Sequence, residues 1–316
     1  MKNIPILDLS AANPSQLATE FATAYGDVGF AYIVNHGVPK TLVDSVFAAS
    51  ARFHAMPREA KMAIELNDKH RGFIPINTST DVNSKLAEVK RPNQSESFMM
   101  LREAGPDDPD VLADAFLAGP NQWPDLPGFQ QEVLAYYEAM TELGRRLMRL
   151  AATAIGTPPE TIAPAFERPT AWLRLLHYPP TDPADGDDLY GSAPHTDFGC
   201  LTILAQDSVG GLQVQTPDGE WIDAPYIERA FVVNVGDMLH RWSNGRLRST
   251  PHRVINRSGR ERYSCPFFFD PHVDTVIAPL PSCISDDQSA QYDPLVFGDF
   301  LRSELQAGYE KHKEGA

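Results

Sequence analysis

Trp172-Leu173-Arg174-Leu175-Leu176-His177-Tyr178, closed by Pro179-Pro180, is the stretch that decides the fold. Seven mostly large apolar or aromatic residues end at two prolines, which have no backbone N–H to donate, so the run reads as a strand. Five more runs of the same texture follow, at 201–205, 211–215, 231–235, 252–256 and 263–269, each separated from the next by turn-forming residues. That length and spacing belong to a β-sandwich or barrel.

Upstream of this region the period changes. Asn13-Pro14 supplies a cap and a proline at the first helical position, and Leu17, Phe21 and Ala24 then fall on one face. Leu42, Val46, Ala49 and Phe53 repeat the pattern, with a buried strand expected at 28–34 between the two helices. The longest helix should begin after Pro127-Gly128: Phe129, Val133, Tyr136, Met140, Leu143, Leu147 and Leu150 step by four and three, and Gly156 fits the C-cap. A last helix is expected at 297–309. The fold class is therefore α+β, a β-sandwich or barrel buttressed by helices at both ends. Residues 1–160 form a helical or mixed segment packed on a core at 161–316, the two making one structural unit.

Composition narrows the function. The 316 residues carry 27 Lys+Arg against 42 Asp+Glu, a net charge of −15. A protein that binds nucleic acid must neutralise phosphates with a basic surface, so nucleic acid and anionic membranes are not expected partners. No apolar run approaches the length of a membrane span. Cys200, Cys265 and Cys283 form no CxxC signature and are too few for a disulfide scaffold, which points to a reducing compartment and a cytoplasmic protein.

The chemistry is sought among the nine histidines. In Ala193-Pro194-His195-Thr196-Asp197-Phe198 the His and Asp are two apart, which in extended backbone puts both on one face. A second such pair, His272-Val273-Asp274, shows that the spacing alone is weak; downstream of it lies only His312, in a charged tail, and it is read as a surface coincidence. Downstream of His195, by contrast, Thr250-Pro251-His252-Arg253-Val254 places a histidine at the opening of a strand, where it completes a two-His, one-carboxylate triad. Asn256-Arg257-Ser258-Gly259-Arg260 has turn composition, so residues 252–255 and 261–269 are expected to form a hairpin. An odd loop would then put His252, Arg262 and Ser264 on one face. A guanidinium and a hydroxyl beside the metal suit a carboxylate-bearing guest. Arg248-Ser249-Thr250 is a competing match that receives no ligand role. On these signals the site is an Fe(II)-type oxygenase centre or a zinc or manganese site in another small barrel.

Five ordered blocks carry a resemblance. They are His195-Thr196-Asp197-Phe198-Gly199-Cys200-Leu201, Gly210-Gly211-Leu212-Gln213-Val214, Val233-Asn234-Val235-Gly236-Asp237 with Trp242-Ser243-Asn244-Gly245, Ser249-Thr250-Pro251-His252, and Arg262-Tyr263-Ser264. Together with Ile4-Pro5-Ile6-Leu7-Asp8 and Gly29-Phe30-Ala31-Tyr32-Ile33-Val34-Asn35-His36-Gly37, they resemble the isopenicillin-N-synthase-like branch of Fe(II)/2-oxoglutarate-dependent dioxygenases over nearly the whole chain. The resemblance implies a double-stranded β-helix (jelly-roll) core. It implies Fe(II) held by His195, Asp197 and His252, and 2-oxoglutarate gripped at its distal carboxylate by Arg262 and Ser264. Tyr178 matches a tyrosine that touches this cosubstrate, although Leu176 stands where many relatives have Asn. His36, His177 and His240 are assigned structural roles.

The implied activity is oxidation of a small organic metabolite with O2, by hydroxylation or desaturation, releasing succinate and CO2. Two alternatives accompany it: an Fe(II) oxidase of the isopenicillin N synthase or aminocyclopropane-carboxylate oxidase type that uses no 2-oxoglutarate, and a non-catalytic metal-binding scaffold. Aromatic residues at 267–269 and the segments around 70–73 and 95–98 are read as pocket walls or core.

Overall fold

A computed structural model of the chain describes residues 3–79, 86, 91–181 and 189–308. Its strands are β1 (Ile6–Asp8), β2 (Phe30–Val34), β3 (Gly72–Ile74), β4 (Glu96–Leu101), β5 (Thr170–Tyr178), β6 (Ser192–His195), β7 (Leu201–Gln206), β8 (Leu212–Gln215), β9 (Trp221–Asp223), β10 (Phe231–Val235), β11 (His252–Val254), β12 (Arg262–Asp270), β13 (Val276–Ile277) and β14 (Leu295–Val296). The helices are α1 (Pro14–Asp27), α2 (Lys40–His54), α3 (Arg58–Met62), α4 (Pro109–Leu112), α5 (Phe129–Ala154), α6 (Asp237–Trp242) and α7 (Phe297–Gly308). Tyr309 and His312 lie outside the described residues.

Eight strands make one sheet in the order β1-β2-β10-β7-β12-β5-β4-β3, and four make a second in the order β6-β11-β8-β9. The larger sheet is antiparallel except for the β1–β2 pair at one edge. Strands from the first hundred residues thus occupy both edges of a sheet whose centre comes from residues 170–270. β13 and β14 form a separate two-stranded pair.

The alternation of side chains along each strand divides the apolar residues into two cores. Leu173 and Leu175 of β5, Ile203 and Ala205 of β7 and Phe267 and Phe269 of β12 face outward, where α2 and α5 cover them in the larger core. Leu176 and Tyr178 of β5, Val232 of β10 and Phe30 and Tyr32 of β2 face inward against Leu212, Val214 and Val254 of the smaller sheet. Two sheets packed face to face with helices on one outer surface are the jelly-roll architecture expected.

The helices form for the reasons read from the sequence. Asn13 Oδ1 accepts from the backbone N–H groups of Ser15 and Gln16 at 3.1 and 3.2 Å, with Pro14 at the first position of α1. In α5 the buried stripe runs from Phe129 through Val133, Tyr136, Met140 and Leu143 to Leu147. Gly144 lies on that stripe because the helix backbone meets the Phe269 ring there: a Cβ at this position would stand 2.5 Å from Phe269 Cγ.

The expected hairpin between 252–255 and 261–269 is not formed. β11 pairs with β6 and β8 in the smaller sheet, whereas β12 pairs with β5 and β7 in the larger one. The turn residues at 256–260 are present, and Asn256 Nδ2 donates to Arg260 O at 2.8 Å. This turn hands the chain from one sheet to the other instead of folding it back on itself. A turn signal fixes a reversal of direction and not the sheet in which the next strand is paired.

Gly144→Ala should lower stability by about 1–3 kcal/mol, because Phe269 is fully buried and the helix must lift off the sheet. A lower urea midpoint at unchanged denaturant slope would show it.

Candidate metal centre and cosubstrate clamp

His195 ends β6, His252 begins β11, and the two are direct partners across the smaller sheet. Their rings stand 4.3 Å apart at 51°. Asp197 comes two residues after His195 but lies past the end of β6, in a loop, so its approach does not come from the strand alternation that the spacing suggested. The loop is latched instead. Asp237 N donates to Asp197 O at 2.8 Å, Gly236 N to Cys200 O at 2.9 Å and Met238 N to Gly199 O at 2.9 Å. Gly236 permits this contact, since a Cβ there would come 2.4 Å from Gly199 O.

The three side chains converge. His195 Nε2 is 3.6 Å and His252 Nε2 3.7 Å from Asp197 Oδ1. The Nδ1 atom of His195 lies 2.7 Å from Ala193 O, and that of His252 lies 3.3 Å from Thr250 O. A carbonyl only accepts, so each ring carries its proton on Nδ1 and turns the Nε2 lone pair toward the carboxylate. Asp197 Oδ2 accepts from Asn234 Nδ2 at 2.7 Å and from Thr202 Oγ1, which leaves Oδ1 for a cation. Donors bound about 2.1 Å from a common ion stand about 3.0–3.5 Å apart, so small side-chain shifts suffice to place an ion among these three. Burial alone would push the Asp197 carboxyl up, but the His252 and His195 imidazoles and the Thr202 hydroxyl more than offset it and hold the group well below the usual carboxylate range. The residues fit Fe(II): two neutral nitrogens and one anionic oxygen, with nothing else among the described residues closing the site.

Opposite them, on the larger sheet, Arg262 pairs in register with Tyr178 and Ser264 with Leu176. Arg262 is fully buried, yet no carboxylate among the described residues pairs with it. Its Nε donates to Gly210 O at 2.6 Å and Nη1 to Ser264 Oγ at 3.3 Å; its Cζ sits 4.5 Å from the Tyr178 ring centroid; Nη2 has no partner. Ser264 Oγ in turn donates to Tyr178 OH at 3.4 Å. A desolvated guanidinium with an orphaned N–H is a costly arrangement unless an anion completes it. Triad and clamp thus approach one chamber from facing sheets, which corrects the single-hairpin geometry expected from sequence.

Asn234 and Thr202, the two donors that orient Asp197, were missed in the sequence. Asn234 occurs in a recognised block and Thr202 directly follows one, but an inward-facing polar residue in an otherwise apolar strand was the only signal. The other described histidines have partners elsewhere. His272 Nε2 contacts Asp110 Oδ1 at 3.2 Å and is partly buried, Asp274 is exposed, and among the described residues no third ligand group joins that pair. His240 Nε2 meets Tyr292 OH at 2.8 Å. A second convergence, of His54, Glu96 and His177, lies on the outer face of the larger sheet. Its cation is already built in: Lys61 Nζ stands 3.0 and 2.9 Å from the two Glu96 oxygens. Burial pushes Glu96 up, but hydrogen bonds from His177, His54 and Lys61 more than offset this and depress it.

Comparison with known proteins agrees with this geometry. Residues 169–271 match the 2OG-Fe(II) oxygenase superfamily, and residues 4–126 match the N-terminal region of non-haem dioxygenases in morphine synthesis. The chain is 37% identical to the 2-oxoglutarate-Fe(II) type oxidoreductase hxnY of Emericella nidulans, over 96% of this chain and 90% of that protein. Among solved structures, a full-length Neurospora crassa protein in complex with alpha-KG and thymine superimposes with a TM-score of 0.84 at 28% identity, covering 96% of each chain. A rice dioxygenase for auxin oxidation superimposes with a TM-score of 0.77 at 26% identity, covering 96% of this chain and 95% of that one. The chain therefore belongs to the 2OG-Fe(II) oxygenase superfamily. It is an Fe(II)- and 2-oxoglutarate-dependent oxygenase of small organic molecules.

Asn234→Ala leaves Asp197 Oδ2 with one donor fewer and should weaken divalent metal binding about 10- to 100-fold. Calorimetric titration with Mn(II) or Fe(II) measures this, and circular dichroism checks that the fold is kept.

Proposed function

We propose that His195, Asp197 and His252 hold the Fe(II), that Arg262, Ser264 and Tyr178 receive the distal carboxylate of 2-oxoglutarate, and that the guest is a small organic metabolite which is hydroxylated or desaturated. The reading is carried by one observation: two imidazoles gathered around Asp197 Oδ1 face a buried guanidinium that lacks an anion. The bound iron supplies the oxidising chemistry: O2 and 2-oxoglutarate are consumed, succinate and CO2 leave, and in hydroxylation one oxygen atom goes to the substrate.

The residues of this chain prepare that chemistry. Ala193 O and Thr250 O fix the tautomers that turn both Nε2 atoms toward Asp197 Oδ1. Asn234 and Thr202 satisfy one carboxylate oxygen, so Asp197 binds through the other. The clamp matches a carboxylate with up to three groups, the Arg262 Nη2, the Ser264 hydroxyl and the Tyr178 hydroxyl. With the ion and the clamp on facing sheets, a cosubstrate tied at both ends has its orientation set before the substrate enters. Residues 1–160 act as the support that seals the outer face of this core. The three cysteines are buried and unpaired, in keeping with a cytoplasmic, reducing setting.

Arg262→Lys keeps the charge but loses the planar fork, so it should raise KM for 2-oxoglutarate about tenfold or more with a smaller change in kcat. Asp197→Ala should abolish iron-dependent turnover. Succinate release measured alongside oxygen uptake tests both roles. Oxygen uptake with no succinate would contradict the assignment of the clamp, and equal turnover in the two variants would contradict the division of labour between them.

A further inference from the structure

β5 lies in the interior of the larger sheet, between β4 and β12, and eight of its nine residues are buried. The exception is Arg174. Its neighbours Leu173 and Leu175 are completely buried against the helices on the outer face. Alternation puts Arg174 on the other face with Leu176 and Tyr178, so its exposure comes from the chamber between the sheets. Its Nε donates to Ser97 Oγ at 2.8 Å, which holds the side chain down on the sheet. Among the described residues nothing else bonds it: no carboxylate pairs with it, and both Nη groups are left for a guest. Arg262 grips the cosubstrate; Arg174 is a second cation on the same sheet face that the iron and 2-oxoglutarate do not need.

The register places it. Thr202, which donates to Asp197, is directly opposite Phe268 of β12; Phe268 is directly opposite Trp172; and Arg174 is one inward-facing step further along β5. Two inter-strand spacings across and two residues along put the Arg174 Cα about 12 Å from that of Thr202. Phe268 stands between them and is itself one of the two residues of β12 that are not fully buried. An aromatic surface therefore lies between the iron-binding edge and an unpaired guanidinium, at a separation that a ring system bearing one carboxylate spans.

We propose that Arg174 sets the substrate class: the guest is a small planar organic carboxylate whose charged end docks on the Arg174 guanidinium and whose ring lies over Phe268, with its far side turned to the iron. This rests on the proposed assignment of His195, Asp197 and His252 to the iron and of Arg262 to 2-oxoglutarate. Arg174 is a specificity-determining residue here; it takes no part in the triad or the clamp.

Two matched pairs, benzoate with benzamide and naphthalene-2-carboxylate with its carboxamide, differ mainly in charge and serve as probes. They are titrated calorimetrically, without oxygen, into the Fe(II)-loaded protein with and without saturating 2-oxoglutarate. At least one acid should bind beside 2-oxoglutarate about 10- to 100-fold more tightly than its amide, the range expected for hydrogen bonds to a charged group. Arg174→Met should bring the acid down to the level of the amide, and Arg174→Lys should restore part of the difference, while the 2-oxoglutarate affinity of both variants stays at the wild-type value. Acid and amide binding alike, neither binding, Arg174→Met retaining the preference, or 2-oxoglutarate displacing the acid would each overturn the proposal. The 2-oxoglutarate titration of the wild-type protein is read separately: its failure contradicts the clamp, while the dependence of acid binding on Arg174 is still measured in the protein loaded with metal alone.

Discussion

One carboxylate ties the two sheets together at the point where the chemistry is done. Asp197 turns Oδ2 toward Asn234 and Thr202 of the larger sheet and Oδ1 toward His195 and His252 of the smaller. A buried anion is tolerated only when donors or cations surround it, and here two strands of the larger sheet supply the donors while the imidazoles on two strands of the smaller sheet hold the place of a cation. The demand for satisfaction therefore fixes the spacing of the sheets, the height of the loop after β6 and the direction of both imidazoles at once. The backbone bonds from Asp237, Gly236 and Met238 hold the loop that carries this group. The metal site follows from how the two layers are joined and is not an addition to a finished sandwich.

Where a signal is local, the sequence made it legible. The cap at Asn13-Pro14, the stripe along α5 and the central strands each depend on residues within a few positions of one another, and they form close to where they were expected. Partnership between strands is different, because it depends on residues that meet only after the chain has crossed the molecule. The turn at 256–260 was visible, but its role as a passage between sheets was not, so Arg262 and Ser264 were placed beside His252 when they face it. Short edge strands such as β1, β3 and β9 carry too few residues to show a period. The triad was legible because residue type and order marked it in a region of strands, although the strand geometry first offered to explain His195 and Asp197 does not apply beyond the end of β6. The donors behind Asp197 were not legible, since an Asn or a Thr in a strand carries no mark of what it will face.

The contrast between the two His-rich clusters shows what makes a site. Both gather two imidazoles and one carboxylate, and both are largely sheltered from water. On the outer face Lys61 provides the positive charge that pairs with Glu96. At the cluster between the sheets, among the described residues, no Lys or Arg pairs with the carboxylate, and the positive charge must come from solution. The same reasoning distinguishes the arginines: Arg71 spends both Nη groups on the backbone carbonyls of Lys69, Leu117 and Arg102 and leaves only Nε without an acceptor, whereas Arg262 leaves Nη2, at the tip of the fork where a carboxylate docks. Unmet demand, more than residue type, separates binding groups from framework.

β5 has two faces with different duties. Leu173, Leu175 and His177 belong to the helix-covered layer, and Arg174, Leu176 and Tyr178 to the chamber. Because successive residues alternate, losing or gaining a single residue within this strand would exchange the two sets, driving a guanidinium and a phenol into the apolar layer and bringing leucines to the reactive side. Divergence among relatives that keep this strand must then proceed by swapping side chains in place, and any change in chain length must be absorbed in the loops at its ends.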